Sequence, residues 1–180
     1  MKKLCVFCGS SAGNDPKYVS EAKDLGAFMA ENQLGLVYGG ASIGVMGAVA
    51  DGVLDKKGTV VGVIPQSIID LEVGHQHLTN LYIVDSMHER KQKMYDLSDA
   101  FLAIPGGIGT LDELCEIFTW AQLEYHKKPI YIVNQDGFFD HLLNHFQSCV
   151  DKGFVKKEHL DLFCTVANPK EAAMDFLSKS

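Results

Sequence analysis

The sequence predicts an α/β protein: one domain over residues 1–180, built on a doubly wound sheet of about six or seven parallel strands. Three observations predict it. Apolar runs of strand length alternate with helix-period stretches along the whole chain. The runs are continuously apolar rather than alternating, as in strands covered on both faces of a parallel sheet. Three of them end in glycine-rich turns, after Cys8, Tyr38 and Ile104, which places those turns at the carboxyl ends of strands, where such sheets bind ligands.

Each element follows from its residues. Lys3 to Cys8 is a first strand, and Gly9-Ser10-Ser11-Ala12-Gly13 is the small-residue loop after it. Asp15-Pro16 is a helix start, Asp as N-cap and Pro in the first turn, with Tyr18, Ala22, Leu25, Phe28 and Met29 at helical spacing behind it. Leu34 to Tyr38 is a second strand, ended by Gly39-Gly40, and Ile43 to Leu54 a second helix. Thr59 to Ile64 is a valine-rich third strand stopped by Pro65. Residues 66–80 are less regular, with room for a short helix. Leu81 to Val84 is a short strand, and Ser86 caps a helix through Leu97. Ala100 to Ile104 is the strand before a third glycine turn, and Leu114 to Tyr125 a helix. Pro129 to Val133 is the next strand, with a helix through Val150 behind Gly137. Phe163 to Ala167 is the last strand, and Asn168-Pro169 starts a final helix.

Composition bounds the function. Hydrophobic residues make up 47% and charged residues 22%, as in an ordinary globular core, and the net charge of −7 argues against nucleic acid or an anionic membrane as partner. A small anionic ligand needs only local positive charge and stays open. No apolar run approaches a membrane span, and the run before Gly9 is too short for a signal peptide. Five scattered cysteines, an odd count, point to a reduced, cytoplasmic setting. Cys5-Val6-Phe7-Cys8 is formally a C-x-x-C, but it lies in a strand without a second ligand pair and reads as buried small hydrophobes. His75 and His77 form an H-x-H that reads as surface; no metal site is expected.

The chemistry concentrates in Pro105-Gly106-Gly107-Ile108-Gly109-Thr110-Leu111-Asp112-Glu113. A strand passing through glycines into a helix start is a ready anion site, because backbone N–H groups can approach the ligand and the helix terminus adds donors. None of the glycine turns matches the dinucleotide fingerprint, and residues 39–47 carry no P-loop lysine. Glu113 has two readings. With Thr110 as N-cap it completes a capping box; alternatively it is a carboxylate beside a phosphate loop, able to act as a base or to face developing positive charge. The second informative stretch is Ser86 to Met94, where Met87, Arg90, Lys91 and Met94 share roughly one helical face. The methionines read as core. Arg90 either lies along the surface on its packed stem or aims at a phosphate or at Glu113, for which its fork is suited.

Two motifs together, P-G-G-x-G-T-x-x-E at Pro105 to Glu113 and M-x-x-R-K at Met87 to Lys91, resemble the signature of the Lonely Guy family, the cytokinin riboside 5′-monophosphate phosphoribohydrolases. Phe7-Cys8-Gly9-Ser10-Ser11, Tyr38-Gly39-Gly40, Val63-Ile64-Pro65 and Thr119-Trp120-Ala121-Gln122 extend the resemblance over nearly the whole chain. It implies a Rossmann-like domain that hydrolyses the N-glycosidic bond of a nucleoside 5′-monophosphate, without metal or other cofactor, in a homodimer or hexamer. It implies Arg90 and Glu113 as the catalytic pair, with Lys91, Gly107, Ile108, Gly109, Thr110, Leu111 and Asp112 binding substrate; Glu72 and Thr119 match further contacts. Members are often labelled lysine decarboxylases, yet the sequence holds no independent sign of a pyridoxal site. The competing expectation is a nucleotide sensor on the same fold that binds without cleaving.

Overall fold

The computed structural model describes residues 1–69 and 74–179. Its strands are β1 (Lys3–Phe7), β2 (Gly35–Tyr38), β3 (Val60–Pro65), β4 (Asn80–Val84), β5 (Ala100–Ala103), β6 (Ile130–Val133) and β7 (Phe163–Val166). Its helices are α1 (Pro16–Glu31), α2 (Gly44–Asp55), α3 (Gln66–Ile69), α4 (Met87–Asp96), α5 (Ile108–Gln122), α6 (Asp140–Asp151) and α7 (Pro169–Ser178). The seven strands form one parallel sheet in the order β4-β3-β2-β1-β5-β6-β7. The first four strands build outward from β1 in one direction. The chain then crosses back through α4, lays β5 on the other side of β1, with Leu4 opposite Ala100, and builds outward again.

β1 shows how the two layers form. Its successive side chains point to opposite faces. Leu4, Val6 and the following Cys8 enter a core with Leu25 and Met29 of α1, Val49 and Val53 of α2, and Phe176 of α7. Cys5 and Phe7 enter the other, with Met94 of α4 and Leu114 and Ile117 of α5. Both faces are covered, which is why the strands read as unbroken apolar runs. Cys5 and Cys8 are buried packing residues, and the five cysteines are all unpaired. Among the described residues no helix is long and apolar enough to cross a membrane.

The predicted caps form. Asp15 accepts from the Lys17 N–H at 3.0 Å, Ser86 from that of Glu89 at 3.1 Å, and Asn168 from that of Glu171 at 3.0 Å. Two expectations are corrected. α5 starts at Ile108, well before Leu114, because Gly107 takes the N-cap position and Gly109 is accepted in the first turn, the surrounding packing overriding glycine's weak helix preference. His75 is buried, not on the surface. An antiparallel bridge between Ala41 and Gly74 pins its segment down, its N–H donates to the Gly40 carbonyl at 3.1 Å, and its ring sits 3.0 Å from Asp51 of α2. His77 is exposed, and no group of three or more potential metal ligands occurs among the described residues.

α1 and α2 cross backbone to backbone. A methyl on Gly26 would overlap the Val49 carbonyl, and one on Gly52 the Lys23 carbonyl. Gly52→Ala should therefore destabilise the fold by about 1–3 kcal/mol through overpacking, instead of gaining the roughly 1 kcal/mol that alanine brings to an open helix. Urea unfolding of the variant measures the sign directly.

Candidate active site

The order of the strands reverses at β1 and β5, so the loops leaving their carboxyl ends part and leave a crevice. A cavity of about 270 Å³ opens there. Its floor is Cys8-Gly9-Ser10 from β1 and Gly39 from β2; α5 contributes Gly107 to Thr110 and Glu113, and α4 contributes Met87 and Arg90.

Arg90 and Glu113 are both buried, and Arg90 Nη1 lies 3.0 Å from Glu113 Oε1. The guanidinium is held from a second side, its Nε donating to the Val63 carbonyl at 3.2 Å. Its remaining nitrogen lies over Gly39, where any Cβ would collide with Nη2. The ends of β2 and β3 thus form the seat of the arginine, and only a glycine at 39 leaves room for it. The surface reading of Arg90 is excluded. So is the capping box, because Thr110 lies inside α5 and Glu113 turns to Arg90 instead of back to the helix end.

Burial pushes the Glu113 carboxyl up to about 7, against the pull of the Arg90 guanidinium; Asp112 raises it further and Lys91 lowers it. Burial also pushes the Cys8 thiol up, and Glu113 adds to the effect, so Cys8 stays protonated and unreactive.

The α5 N-terminus is open where those of α1, α2 and α4 are closed. The first turn of α4 is capped by Ser86, and in α2 the Val45 and Met46 N–H groups donate to the Ser11 and Gly9 carbonyls at 3.4 and 3.1 Å. No side chain caps α5, so its first N–H groups face the cavity without an intrahelical partner. Thr110 Oγ1 beside them is buried and has no hydrogen-bond partner. An orphaned hydroxyl costs about 1–3 kcal/mol unless something completes it. Unpaired donors at a positive helix end suit an anion.

The expected residues divide into groups. Arg90, Gly107, Ile108, Gly109, Thr110 and Glu113 line the one cavity. Lys91 and Asp112 pair with each other, 3.2 Å apart, on the outer flank of α4 and α5 and are not among its lining. Leu111 packs against the core. Thr119 is exposed further along α5 and donates to the Cys115 carbonyl. Glu72 lies outside the described residues. Met94 is core, but Met87 is half-exposed on the cavity wall, contrary to expectation, because it occupies the first turn of α4 beyond the sheet edge. Ser10, Ile64 and Pro65 also line the cavity; the resemblance covered their segments without singling them out as site residues, and Met46 and Ile68, which join them, had no signal of their own.

The raised Glu113 value makes a solution prediction. Its folded-state value lies above its unfolded one of about 4.5, so its contribution to stability is intact below that pH and is lost as pH rises through 7. Carboxyl ¹³C NMR should find one glutamate titrating near pH 7, absent in Glu113→Gln, and urea midpoints of that variant should fall less than wild type between these limits.

A family model described as "Possible lysine decarboxylase" matches residues 46–176. Among the described residues no lysine lines the cavity to carry a pyridoxal Schiff base, so that description does not fit the site. The chain is 44% identical over 170 residues to a cytokinin riboside 5′-monophosphate phosphoribohydrolase of Arabidopsis thaliana, covering 94% of this chain and 75% of the relative. It is 41% identical over 173 residues to another of that name from Oryza sativa subsp. japonica, covering 96% and 72%. Among solved structures, TM1055 superposes with a TM-score of 0.76 at 22% identity over 99% of both chains, a likeness that carries the fold alone. With a matched model over most of its length and relatives this similar, the chain belongs to the Lonely Guy family of cytokinin riboside 5′-monophosphate phosphoribohydrolases.

Proposed function

We propose that this protein hydrolyses the N-glycosidic bond of a nucleoside 5′-monophosphate, AMP or an N6-modified AMP such as a cytokinin ribotide, to the free base and ribose 5-phosphate. The observation that carries this is the buried Arg90–Glu113 pair facing the same cavity as the open N-terminus of α5. An anion at the helix end and a carboxylate about one and a half turns along α5 match the two ends of a ribose phosphate.

In the mechanism, Gly107, Ile108, Gly109 and Thr110 hold the 5′-phosphate, with the Thr110 hydroxyl supplying a further donor. This seats C1′ toward Glu113. As the bond from C1′ to the base nitrogen breaks, its electron pair leaves with the base, which takes up a proton from solvent, and positive charge builds on the ribose. The Glu113 carboxylate stabilises that charge and accepts a proton from the water that adds at C1′. Arg90 fixes the carboxylate's direction. The carboxylate is the working form, so kcat/KM should rise with pH through about 7.

A cavity of about 270 Å³ is at the small end for a ligand pocket, and its lining includes exposed apolar residues, Met87 and Ile108, the latter 82% exposed. Leu81, Tyr82 and Ile83 on the edge strand β4 are exposed as well. A homodimer that covers this rim and completes the base pocket accounts for both. Unpaired cysteines fit a reducing, cytoplasmic setting.

Incubation with a panel of nucleoside monophosphates, including AMP and N6-prenylated AMP, should release free base, measured by chromatography. Glu113→Gln should lower the rate about 10²–10⁴-fold with the fold retained. Gly39→Ala, which evicts the guanidinium, should cost about 10²-fold. Thr110→Val should raise KM roughly tenfold. Tight nucleotide binding with no base released anywhere in the panel would establish the sensor instead.

A further inference from the structure

Lys91 follows Arg90 directly on α4, yet the two side chains go to different places. Arg90 enters the cavity. Lys91 runs along the outer flank, with Nζ 3.2 Å from Asp112 Oδ2 and 3.0 Å from Glu116 Oε1, both on α5. Its side chain is only 13% exposed, so it is committed to these partners. It does not line the cavity. Asp112 and Glu116 stand four apart on one helix, where like charges repel, and the ammonium between them relieves that repulsion. Arg90–Glu113 and Lys91–Asp112/Glu116 are thus adjacent rungs joining the same two helices.

We propose that Lys91 is a positioning residue: it clamps α4 to α5 and balances the charge around Glu113, without touching the nucleotide. The turnover arm of this proposal rests on the reaction given above.

The charged groups that act on Glu113 are Arg90 and Lys91 from α4 and Asp112 from its own helix; the Cys5 thiol of β1 and the Cys8 thiol just after it feel the carboxylate in turn and are pushed up by it. Asp112 disfavours the carboxylate and Lys91 favours it. Losing Lys91 removes its own effect and leaves Asp112 with no cation beside it, so both changes push Glu113 toward its neutral form. Losing Asp112 does the opposite. A lysine that bound the phosphate would behave differently, since its removal would weaken substrate binding.

The test uses the full chain as Lys91→Met, Lys91→Arg and Asp112→Asn, with AMP kinetics across pH and carboxyl ¹³C titration of Glu113. Lys91→Met should lower kcat about tenfold while KM stays within about twofold. It should move the Glu113 midpoint up by about half a pH unit. Asp112→Asn should move the midpoint down, and Lys91→Arg should restore both kcat and midpoint. A KM raised tenfold or more with the midpoint unmoved would make Lys91 a phosphate ligand and overturn the proposal, as would a Lys91→Met protein unchanged in every reading. If the wild type releases no base from any nucleotide, the reaction falls, but the titration still decides the part of Lys91.

Discussion

Arg90 and Glu113 meet 3.0 Å apart where neither charge would be stable alone. Burial drives the carboxyl toward its neutral form, and the guanidinium holds part of its charge back. The balance leaves a carboxyl whose protonation is decided near neutrality rather than in acid. Several otherwise unrelated features exist to support this contact. Gly39 has no side chain because the guanidinium fills the space, and the Val63 carbonyl at the end of β3 takes the Nε proton. Two strand ends and two helices converge on one ion pair, so a small shift of any of them reaches the carboxylate.

Around that pair the helix termini divide the work. α1, α4 and α7 begin with side-chain caps, and α2 spends its first donors on the loop after β1. Those ends are structural. α5 begins with a bare glycine and no side-chain cap, and the Thr110 hydroxyl beside it has no partner in the chain. The same backbone chemistry therefore builds the frame in four places and leaves an open, uncapped helix end in a fifth. What separates them is whether the chain itself, by a cap side chain or a loop carbonyl, supplies acceptors for the first N–H groups.

That distinction was partly legible in the sequence. Strand length, unbroken apolarity and the glycine turns were enough for the parallel sheet, because burial on both faces leaves almost no polar positions in its central strands. Asp15, Ser86 and Asn168 were readable as caps because their side chains act within three residues. The start of α5 was not, since Thr110 to Glu113 imitates a capping box and nothing local reveals that Glu113 has a better partner 23 residues upstream. The motif resemblance named Arg90 and Glu113, but it could not separate residues that line the cavity from Lys91 and Asp112, which stand behind it. Met87 and His75 were misjudged for a related reason: their surroundings are built by β3, α2 and a bridge to Ala41, all distant along the chain.

The crossover through α4 also has a consequence in time. Leu4, in the middle of the finished sheet, pairs on one side with Leu36 and on the other with Ala100. During synthesis the half-sheet from β1 to β4 can assemble first, while one flank of β1 waits as an open edge. Such edges recruit foreign strands, and pairing over so long a stretch of chain is slow. α4 is made just before β5 and α5 just after it, so the strand that seals the edge arrives together with both halves of the ion pair. A ribosome-bound fragment ending before β5 would be sticky and inert for one and the same reason.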